Sequence, residues 1–330
     1  MAGLKGSFNR RLDYVRISIT DRCNYRCRYC MPEDGISWLG HDEILRYEEI
    51  LALCRLLHEM GVRKVRLTGG EPMVRKGLTD FLRLLVGEIP SLHVALTTNG
   101  SFLLQSAEDL SKIPLCGLNV SLDSMDPGKF RSLTRLGSLE EVLQGIIAFR
   151  SRSRIPIKIN TVLMRGFNEE EVPALLEFAR SCDAVLRLIE FMPLDDSVWT
   201  RDRFISADEI VAGLPDADKW IPDVFGKKNP NHGVPEGPAR TLVHTGTGQR
   251  LGIIAAVSHH FCETCNRLRI TASGELRSCL FSEKGVSLME PLRRGDLETV
   301  RELILAEAGR KPKCWRDAAA SSRHMSRIGG

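Results

Sequence analysis

This 330-residue chain lacks any hydrophobic run long enough to cross a membrane. Its longest apolar run, counting glycine, is the seven residues of Leu251–Val257, whereas a membrane-spanning helix needs about 20. The N-terminal residues Met1–Arg11 carry basic side chains but no apolar core of the kind found in secretion signals. We therefore expect a cytoplasmic protein that has no membrane partner and no framework of disulfides.

A marked excess of one charge is also lacking, as are repeats and low-complexity tracts. The 46 Lys and Arg residues are mixed along the chain with 42 Asp and Glu residues, and the net charge of +4 does not demand a nucleic-acid partner. We expect no DNA or RNA partner. Apolar residues make up 43% of the chain, which excludes a mainly disordered protein. The C-terminal stretch 309–330 is the basic exception, and sequence alone assigns no role to its 309–320 part.

The ten cysteines are the most informative residues. Without a secretion signal, cysteines indicate metal binding, redox chemistry or buried core thiols rather than disulfides. Six of them form two tight groups, which are Cys23, Cys27 and Cys30, and Cys262, Cys265 and Cys279. The other four are scattered, and we predict ordinary core thiols for Cys54, Cys116, Cys182 and Cys314.

From residue 13 to about residue 213, strand-like apolar runs alternate with helix-like patterns. The predicted strands are Tyr14–Thr20, Val62–Thr68, His93–Thr98, Gly117–Leu122, Pro156–Leu163 and Ala184–Glu190. The predicted helices are Tyr47–Met60, Leu78–Ile89, Ser101–Leu110, Leu139–Arg150, Glu169–Ser181 and Ser206–Gly213. Such alternation predicts parallel strands joined by crossovers, and six units are two short of a closed eight-stranded barrel. The pattern fits an α/β fold, either a partial (β/α)6 barrel or a doubly wound sheet.

After about residue 214 the pattern changes. Residues Lys219–Arg240 are rich in Pro, Gly, Asn and charge, and they predict a long loop to which we assign no role. Short strands are predicted at Arg240–His244, Arg250–Val257, Arg267–Thr271 and Glu275–Cys279, followed by helices at Val286–Arg293 and Asp296–Glu307. We therefore expect two domains, residues 1–214 and a smaller C-terminal α+β domain over residues 215–330.

The first cysteine group is spaced C-x3-C-x2-C and comes directly after the first predicted strand. In a barrel of parallel strands, the carboxyl ends of the strands carry the chemistry. Three thiolates are one short of a tetrahedral zinc site, but they suit a [4Fe–4S] cluster that keeps one iron open. The alternatives are a zinc knuckle completed by a distant histidine, or three incidental thiols.

This segment, with Tyr29 just before its third cysteine, resembles the cluster motif of the radical S-adenosylmethionine (SAM) superfamily. Residues Thr68–Pro72, which follow the second predicted strand, resemble the superfamily's GGEP motif. The resemblance implies that this turn receives the methionine amino group of SAM. Polar groups also occupy the ends of later predicted strands, at Thr97–Gly100, Asn119–Asp123, Lys158–Asn160 and Glu190–Pro193. They form either a wall of the active site or ordinary helix caps and turns.

The second cysteine group, spaced C-x2-C-x13-C, again offers three thiols. A structural zinc site completed by His259 or His260 is one interpretation, and a second [4Fe–4S] cluster is the one we favour. Arg267 and Arg269 follow on a predicted strand, where alternate residues face the same side. Two guanidinium groups on one side can bind a polyphosphate through paired hydrogen bonds. A solvated charged face is the alternative.

Together, the two cysteine groups, the Arg267–Arg269 strand and the terminal Gly329–Gly330 resemble the GTP 3',8-cyclase family of molybdenum cofactor biosynthesis, over nearly the whole chain. The resemblance implies a radical SAM lyase with a partial (β/α)6 barrel and two [4Fe–4S] clusters. It further implies conversion of GTP to (8S)-3',8-cyclo-7,8-dihydroguanosine 5'-triphosphate, the first step of that pathway. The implied partners are an external one-electron reductant, a downstream pyranopterin synthase and a second copy of the chain in a homodimer.

The resemblance also implies a role for individual residues. The implied cluster ligands are Cys23, Cys27 and Cys30 for the first cluster, and Cys262, Cys265 and Cys279 for the second. The implied SAM contacts are Tyr29, Gly70, Ser121 and Met192. The implied GTP contacts, mostly through the triphosphate with guanine on the open iron of the second cluster, are Arg16, Arg66, Thr97, Lys158, Arg267, Leu268 and Arg269. The implied catalytic residues are Arg267, Arg269, Gly329 and Gly330.

Three other classes of protein share parts of this pattern. A peptide-modifying radical SAM enzyme with an auxiliary cluster usually carries more C-terminal cysteines and has no need of the two arginines, so a GTP titration separates it. A zinc-bearing nucleic-acid or interaction module is colourless, whereas two iron–sulfur clusters give a brown protein. A metal-free barrel enzyme would leave the cysteines without a role.

We predict that the terminal Gly329–Gly330 reaches the active site, as the family resemblance implies. Glycine has no side chain, so such an end could enter a narrow cavity, and the basic residues before it could meet bound triphosphate. Deleting both glycines should leave both clusters and SAM cleavage intact while severely reducing the cyclised product, measured in an anaerobic turnover assay. Product formation at the full-length rate would show that the tail is dispensable.

Overall fold

The computed structural model describes residues 3–195, 197–223, 234–235 and 237–318. The chain forms two compact units, each of them discontinuous in sequence. Unit 1 contains Met1–Arg26, Cys30–Thr97 and Cys262–Gly330, and unit 2 contains Cys27–Tyr29 and Thr98–Phe261. Within the described ranges, no helix is both long and apolar enough to cross a membrane.

Unit 1 joins the first strands of the chain to its C-terminal strands. Numbered along the chain, its strands are β1 (Tyr14–Ser18), β2 (Lys64–Thr68), β3 (His93–Thr98), β10 (Arg267–Ile270), β11 (Glu275–Arg277) and β12 (Val286–Ser287). Its helices are α1 (Tyr47–Glu59), α2 (Leu78–Glu88), α8 (Met289–Arg293) and α9 (Leu297–Gly309). The strand order is β12-β11-β10-β1-β2-β3. The strands β10, β1, β2 and β3 are parallel, while β11 and β12 run antiparallel to their neighbours.

Unit 2 has the same construction. Its strands are β4 (Gly117–Ser121), β5 (Ile157–Leu163), β6 (Ala184–Glu190), β7 (Trp220–Pro222), β8 (Arg240–His244) and β9 (Arg250–Ile254). Its helices are α3 (Leu103–Ser111), α4 (Pro127–Thr134), α5 (Leu139–Arg152), α6 (Val172–Ser181) and α7 (Ala207–Ala212). The strand order is β4-β5-β6-β9-β8-β7, in which the first four strands are parallel and the last two pair antiparallel.

Burial in unit 1 shows why these segments form strands and helices. Strand β2 is buried at every position, as expected for a parallel strand covered on both faces. Helix α1 buries Ile50, Leu53 and Leu57, which recur at helical spacing, and each such side chain contributes about 1.5–3 kcal/mol on burial. Strand β2 nevertheless contains Lys64 and Arg66, so two cations lie inside the core of the unit.

The six strands predicted before residue 213 are all present, with ends that differ by at most two residues. The predicted helices are present too, although Glu169–Glu171 forms a 3₁₀ turn ahead of α6. Sequence analysis missed α4, which begins after Asp126, whose side chain accepts a hydrogen bond from the Lys129 amide at 2.7 Å. An Asp–Pro pair is a helix-start signal, but the only large apolar residues of α4 are Phe130 and Leu133, which are too few to display a periodicity.

Two predictions for the C-terminal half are corrected. The expected loop Lys219–Arg240 contains β7, because Trp220 is buried and its ring stacks edge-on against His244 at 5.0 Å. The helix expected from Val286 begins at Met289, because Val286 lies in strand β12 and pairs with Leu276 of β11. Residues 224–233 and 236 of the loop lie outside the described residues. The division into domains at residue 214 stays a prediction, since units 1 and 2 are defined by contacts.

Candidate active site

The first cysteine group lies in the irregular segment after β1. Cys23, Cys27 and Cys30 are all half-buried. The Cys23 sulfur accepts a hydrogen bond from the Tyr25 amide at 3.4 Å, and the Cys23 carbonyl accepts one from the Arg26 guanidinium at 2.8 Å. Hydrogen bonds to cysteine sulfur are one means by which proteins tune iron–sulfur clusters. The thiol of Cys23 is therefore oriented by groups of its own segment.

The glycine turn after β2 packs against the segment that leads into the first cysteine. The amides of Gly70 and Glu71 donate hydrogen bonds to the carbonyls of Thr20 at 2.9 Å and Arg22 at 2.8 Å. A Cβ atom on Gly70 would lie 2.3 Å from the Arg22 carbonyl oxygen, and one on Gly69 would lie 2.6 Å from that of Thr20. Because neither position has room for a side chain, this close backbone approach requires both glycines.

Tyr29 is anchored within unit 2. Its hydroxyl donates a hydrogen bond to Asp123 Oδ2 at 2.6 Å, and Asp123 Oδ1 accepts one from the Val162 amide at 2.7 Å. Burial raises the pKa of Asp123 to about 6, although both hydrogen bonds lower it. The tyrosine ring packs against a buried cluster of Leu133, Met164 and Phe191. The segment Cys27–Tyr29 is thereby fixed in unit 2.

Three arginines form a row across three neighbouring strands of unit 1. Arg16 on β1 is in register with Arg269 on β10 and with Arg66 on β2. Neighbouring strands are about 4.8 Å apart, so the three side chains leave one face of the sheet side by side. Burial, together with the charges of Arg16 and Arg267, lowers the pKa of Arg269 well below its usual range. Positive charge concentrated in this way favours a bound polyanion.

Tyr14 lies on the same face, in register with Arg267 on one side and Lys64 on the other. Its hydroxyl accepts a hydrogen bond from Arg66 Nε at 2.7 Å. Burial raises the pKa of Tyr14, but the charges of Arg66, Arg16 and Lys64 and this hydrogen bond outweigh burial and lower the pKa to about 7. Sequence analysis missed Tyr14, although its alternation with Arg16 along the first strand was a usable signal.

The surroundings of Thr97 and Leu268, two predicted GTP contacts, limit how their side chains can contact GTP. The Thr97 hydroxyl accepts a hydrogen bond from Arg66 at 3.2 Å, so Thr97 helps to orient that guanidinium. Leu268 is fully buried, and alternation along β10 directs its side chain away from the face of Arg267 and Arg269. For Leu268, only the main chain is available to a ligand on that face.

The second cysteine group converges within unit 1. Cys262 begins a 3₁₀ turn, Cys265 immediately follows that turn, and Cys279 follows β11. Burial raises the pKa of Cys262 to about 11, and the thiols of Cys314, Cys279 and Cys265 add to the rise. Burial also raises the pKa of Cys265, but the charges of Arg267 and Lys311 outweigh burial and lower it to about 6. Because thiolates bind metals, these residues fit an iron–sulfur cluster.

The scattered cysteines only partly match the expectation of core thiols. Cys54 and Cys182 are buried, and burial raises the pKa of Cys54 to about 12, which makes it inert. Cys116 and Cys314 are half-buried instead. The Cys314 sulfur lies within 4.8 Å of the Cys262 sulfur, so Cys314 borders the second cysteine group. Sequence spacing hid this contact because residues 262 and 314 are brought together by folding alone.

Unit 2 presents a row of polar residues on one face of its parallel strands. Asn119 and Ser121 on β4 are in register with Lys158 and Asn160 on β5, and Asn160 is in register with Arg187 on β6. The side chains of Ser121, Lys158 and Arg187 are half-buried. Sequence analysis missed Arg187, although an arginine inside an otherwise apolar strand was the signal for it.

Other polar strand ends serve the backbone. Glu190 is fully buried, and its carboxylate accepts hydrogen bonds from the amides of Val257 at 2.7 Å and Ala207 at 2.7 Å. Thr98 similarly accepts a hydrogen bond from the Gly100 amide at 3.0 Å. Glu190 and Thr98 therefore act as caps and turn residues, which is the alternative to a place in the active-site wall. Met192, just beyond Glu190, is half-buried.

The remaining sequence-based candidates are His259 and the two terminal glycines. The Nε2 atom of His259 lies 2.8 Å from Asp208 Oδ2 within unit 2, so that nitrogen is already hydrogen-bonded. Gly329 and Gly330 lie outside the described residues.

Protein-family models and curated relatives match the chain over nearly all of its length. The model of the Radical SAM superfamily matches residues 17–179, and that of Molybdenum Cofactor Synthesis C matches residues 184–316. A GTP 3',8-cyclase of Thermodesulfovibrio yellowstonii is 41% identical over 329 residues, which cover 99% of this chain and 100% of the relative. A GTP 3',8-cyclase of Peptoclostridium acidaminophilum is 38% identical over 331 residues, which cover 99% and 98%.

Solved structures match at the level of the fold. The crystal structure of Streptococcus suis SuiB aligns with a TM-score of 0.61 at 14% identity, over 84% of this chain and 63% of SuiB. The chain thus spans less than two thirds of SuiB, and the likeness concerns the fold alone. Together with the family models, it confirms the predicted α/β fold of the radical SAM type with an additional C-terminal region.

The charges around Tyr14 predict an ionisation near neutral pH. Cations favour the tyrosinate, so raising the pH through about 7 should deprotonate Tyr14. Difference absorbance at 295 nm between the parent and a Tyr14→Phe variant should therefore show one tyrosinate forming between pH 6 and 8. Tyr47→Phe is the matched control, because burial raises the pKa of Tyr47 to about 12. Absence of any tyrosinate signal below pH 9 would contradict the prediction.

The arginine row predicts binding of a linear polyphosphate. An Arg269→Ala or Arg267→Ala variant loses a charge-assisted contact worth about 1.5–3 kcal/mol, so inorganic triphosphate should bind roughly tenfold more weakly or worse. Isothermal titration calorimetry measures the change, and circular dichroism checks that the variants fold. The control is Arg294→Ala, which removes an exposed arginine of unit 1. Equal binding by Arg269→Ala and Arg294→Ala would show that the arginine row does not bind polyphosphate.

Proposed function

Because this chain belongs to the GTP 3',8-cyclase family of the radical SAM superfamily, we propose that it converts GTP to (8S)-3',8-cyclo-7,8-dihydroguanosine 5'-triphosphate. This reaction is the first step of molybdenum cofactor biosynthesis. The observation that carries the proposal is the register of Arg16 with Arg269 and Arg66, beside the second cysteine group. That arrangement joins a polyphosphate site to a second metal centre in one compact unit.

The enzyme uses two [4Fe–4S] clusters and SAM. Cys23, Cys27 and Cys30 hold the first cluster, and Cys262, Cys265 and Cys279 hold the second. When bound, the first cluster and SAM would supply reductive cleavage of SAM, and the product of that cleavage would accept a hydrogen atom from C3' of the GTP ribose. Half-buried thiols in both groups support this assignment, as does the lowered pKa of Cys265.

The triphosphate is held by the arginines of unit 1. Arg16, Arg267 and Arg269 direct guanidinium groups to one face of the sheet, and Arg66 is oriented by Tyr14 and Thr97. The mutual repulsion of these cations decreases when an anion binds, so the binding free energy includes relief of that repulsion. A tyrosinate at Tyr14 would compete with phosphate for the same cations, so triphosphate binding should favour the neutral phenol.

SAM is bound by residues at the ends of strands. Gly70 permits close approach of the backbone, and the carbonyl groups exposed by such a turn attract an ammonium group. Tyr29, Ser121 and Met192 provide further SAM contacts, and the hydrogen bond from Tyr29 to Asp123 fixes the tyrosine ring. Lys158 and Arg187 share a half-buried polar face of unit 2, and Lys158 is a further proposed GTP contact.

The chemistry also defines the partners. Reductive cleavage of a sulfonium consumes one electron, so an external one-electron donor is required. The product is a reactive triphosphate that a pyranopterin synthase takes up in the next step. The proposed assembly is a homodimer. Analytical ultracentrifugation tests the dimer, and a coupled assay tests the hand-off of product.

Substitutions in the two cysteine groups should have different effects on iron content and on SAM cleavage. Replacing Cys23, Cys27 or Cys30 with Ser should abolish reductive SAM cleavage and leave iron at the C-terminal centre. Replacing Cys262, Cys265 or Cys279 should remove the C-terminal iron and preserve some uncoupled SAM cleavage. Anaerobic iron and sulfide analysis, with separate assays of 5'-deoxyadenosine and cyclised product, distinguishes these outcomes.

A matched control is Cys116→Ser, because Cys116 is half-buried but stands outside both groups. That variant should retain all iron and full turnover. If both sets of variants lost the same iron, the assignment of two clusters would be wrong. A parent protein that cleaves SAM but leaves GTP unchanged would instead reject GTP as the substrate.

A further inference from the structure

Lys311 belongs to the basic stretch to which the sequence assigned no role. It follows α9, and its side chain is buried with 3% exposure, whereas Arg310 and Lys313 beside it are exposed. A buried ammonium is strongly destabilising unless it is hydrogen-bonded and paired with negative charge. The burial of this one lysine within an exposed basic stretch therefore requires partners.

The partners of Lys311 lie in the second cysteine group. Its Nζ donates to the carbonyls of Ser278 at 2.6 Å and Arg267 at 2.8 Å. Ser278 precedes Cys279, and Arg267 is two residues beyond Cys265. One ammonium thus bridges the two chain segments that carry these cysteines.

The main chain around Lys311 is connected to Cys262, the remaining cysteine of the second group. Arg10, itself buried, donates hydrogen bonds to the carbonyls of Lys311 at 2.7 Å, Pro312 at 2.9 Å and Cys262 at 2.9 Å. The Trp315 amide donates to the Cys262 sulfur at 3.3 Å. The segment 311–315 is therefore hydrogen-bonded to Cys262 and to Arg267 and Ser278, which adjoin Cys265 and Cys279.

Charge is the second part of the arrangement. Burial lowers the pKa of Lys311, while the Cys265 and Cys279 thiols raise it. Buried charges are poorly screened by solvent, so the ammonium acts on these sulfur atoms more strongly than a surface lysine does. Net charge and hydrogen bonds to sulfur are among the factors that set iron–sulfur reduction potentials.

We infer that Lys311 is a positioning residue of the second cysteine group, which holds its three thiols in place and makes the iron–sulfur centre on them easier to reduce. The inference rests on the proposed function, because it takes these thiols to be cluster ligands. Reduction adds negative charge to the centre, and a nearby fixed cation stabilises the reduced state. Lys311 therefore tunes the centre without contacting substrate.

The test uses the full chain with Cys23, Cys27 and Cys30 changed to Ser, so that the second centre alone gives the signal. Lys311→Gln retains hydrogen-bond donors and loses the charge, Lys311→Arg retains the charge, and Lys313→Met removes an exposed neighbouring charge. Reduction midpoints are measured by redox titration followed by electron paramagnetic resonance. Iron and sulfide contents and circular dichroism are measured on the same samples.

In Lys311→Gln the equilibrium constant for reduction should fall at least tenfold, a midpoint lower by about 59 mV for a one-electron couple. Lys311→Arg and Lys313→Met should stay within about threefold of the parent, which is less than half of that shift. A Lys311→Gln centre with full iron and the parent midpoint would overturn the inference.

If Lys311→Gln holds too little iron for a redox titration, the iron contents of the variants test the inference instead. Iron retained by Lys311→Arg and Lys313→Met but lost from Lys311→Gln supports the positioning role. Equal loss of iron from Lys311→Arg, which keeps both charge and donors, overturns it. Failure of the proposed function is seen separately, since a parent protein without a C-terminal iron–sulfur signal would reveal it before any variant is compared.

Discussion

The parallel pairing of β10 with β1 is the constraint on which the candidate site of unit 1 depends. It joins residues that are more than 250 positions apart in the chain, such as Tyr14 and Arg267. Side chains alternate along a strand, so a slip of one residue in register would turn Arg267 and Arg269 to the opposite face. The same pairing brings the second cysteine group into the unit that contains β1. One ladder of backbone hydrogen bonds therefore sets both the arginine row and the location of the second cysteine group.

The charge distribution of unit 1 is costly without its ligands. Arg66 and Arg269 are buried in a row with Arg16, and burial and mutual repulsion lower the pKa of Arg269. Lys311 is a further buried cation near the same strand. Natural proteins tolerate such local conflicts at functional sites, where a ligand supplies the opposite charge. The proposed ligands, a triphosphate and an anionic iron–sulfur cluster, would offset this positive charge.

Residues from the first and the last part of the described chain support the second cysteine group. Arg10 donates hydrogen bonds to the main chain of Cys262 and of the 311–312 segment, while Lys311 contacts the residues next to Cys265 and Cys279. Metal ligands need support from surrounding groups to hold their geometry. Here that support comes from cations that bind carbonyl oxygens, a solution that also keeps positive charge beside the sulfur atoms.

Sequence alone determined the local features of this protein. Cysteine spacing, the glycine turn at Thr68–Pro72 and the alternation of Arg267 with Arg269 are short-range patterns, and the strand–helix alternation before residue 213 follows from periodicity. Tertiary structure decided which strands pair and which side chains are buried. Nothing local distinguishes Lys311 from Lys313, or Cys314 from Cys182, yet each pair differs in burial and partners. Periodicity reports which face of an element is apolar, whereas pairing across long separations depends on the packing of the whole unit.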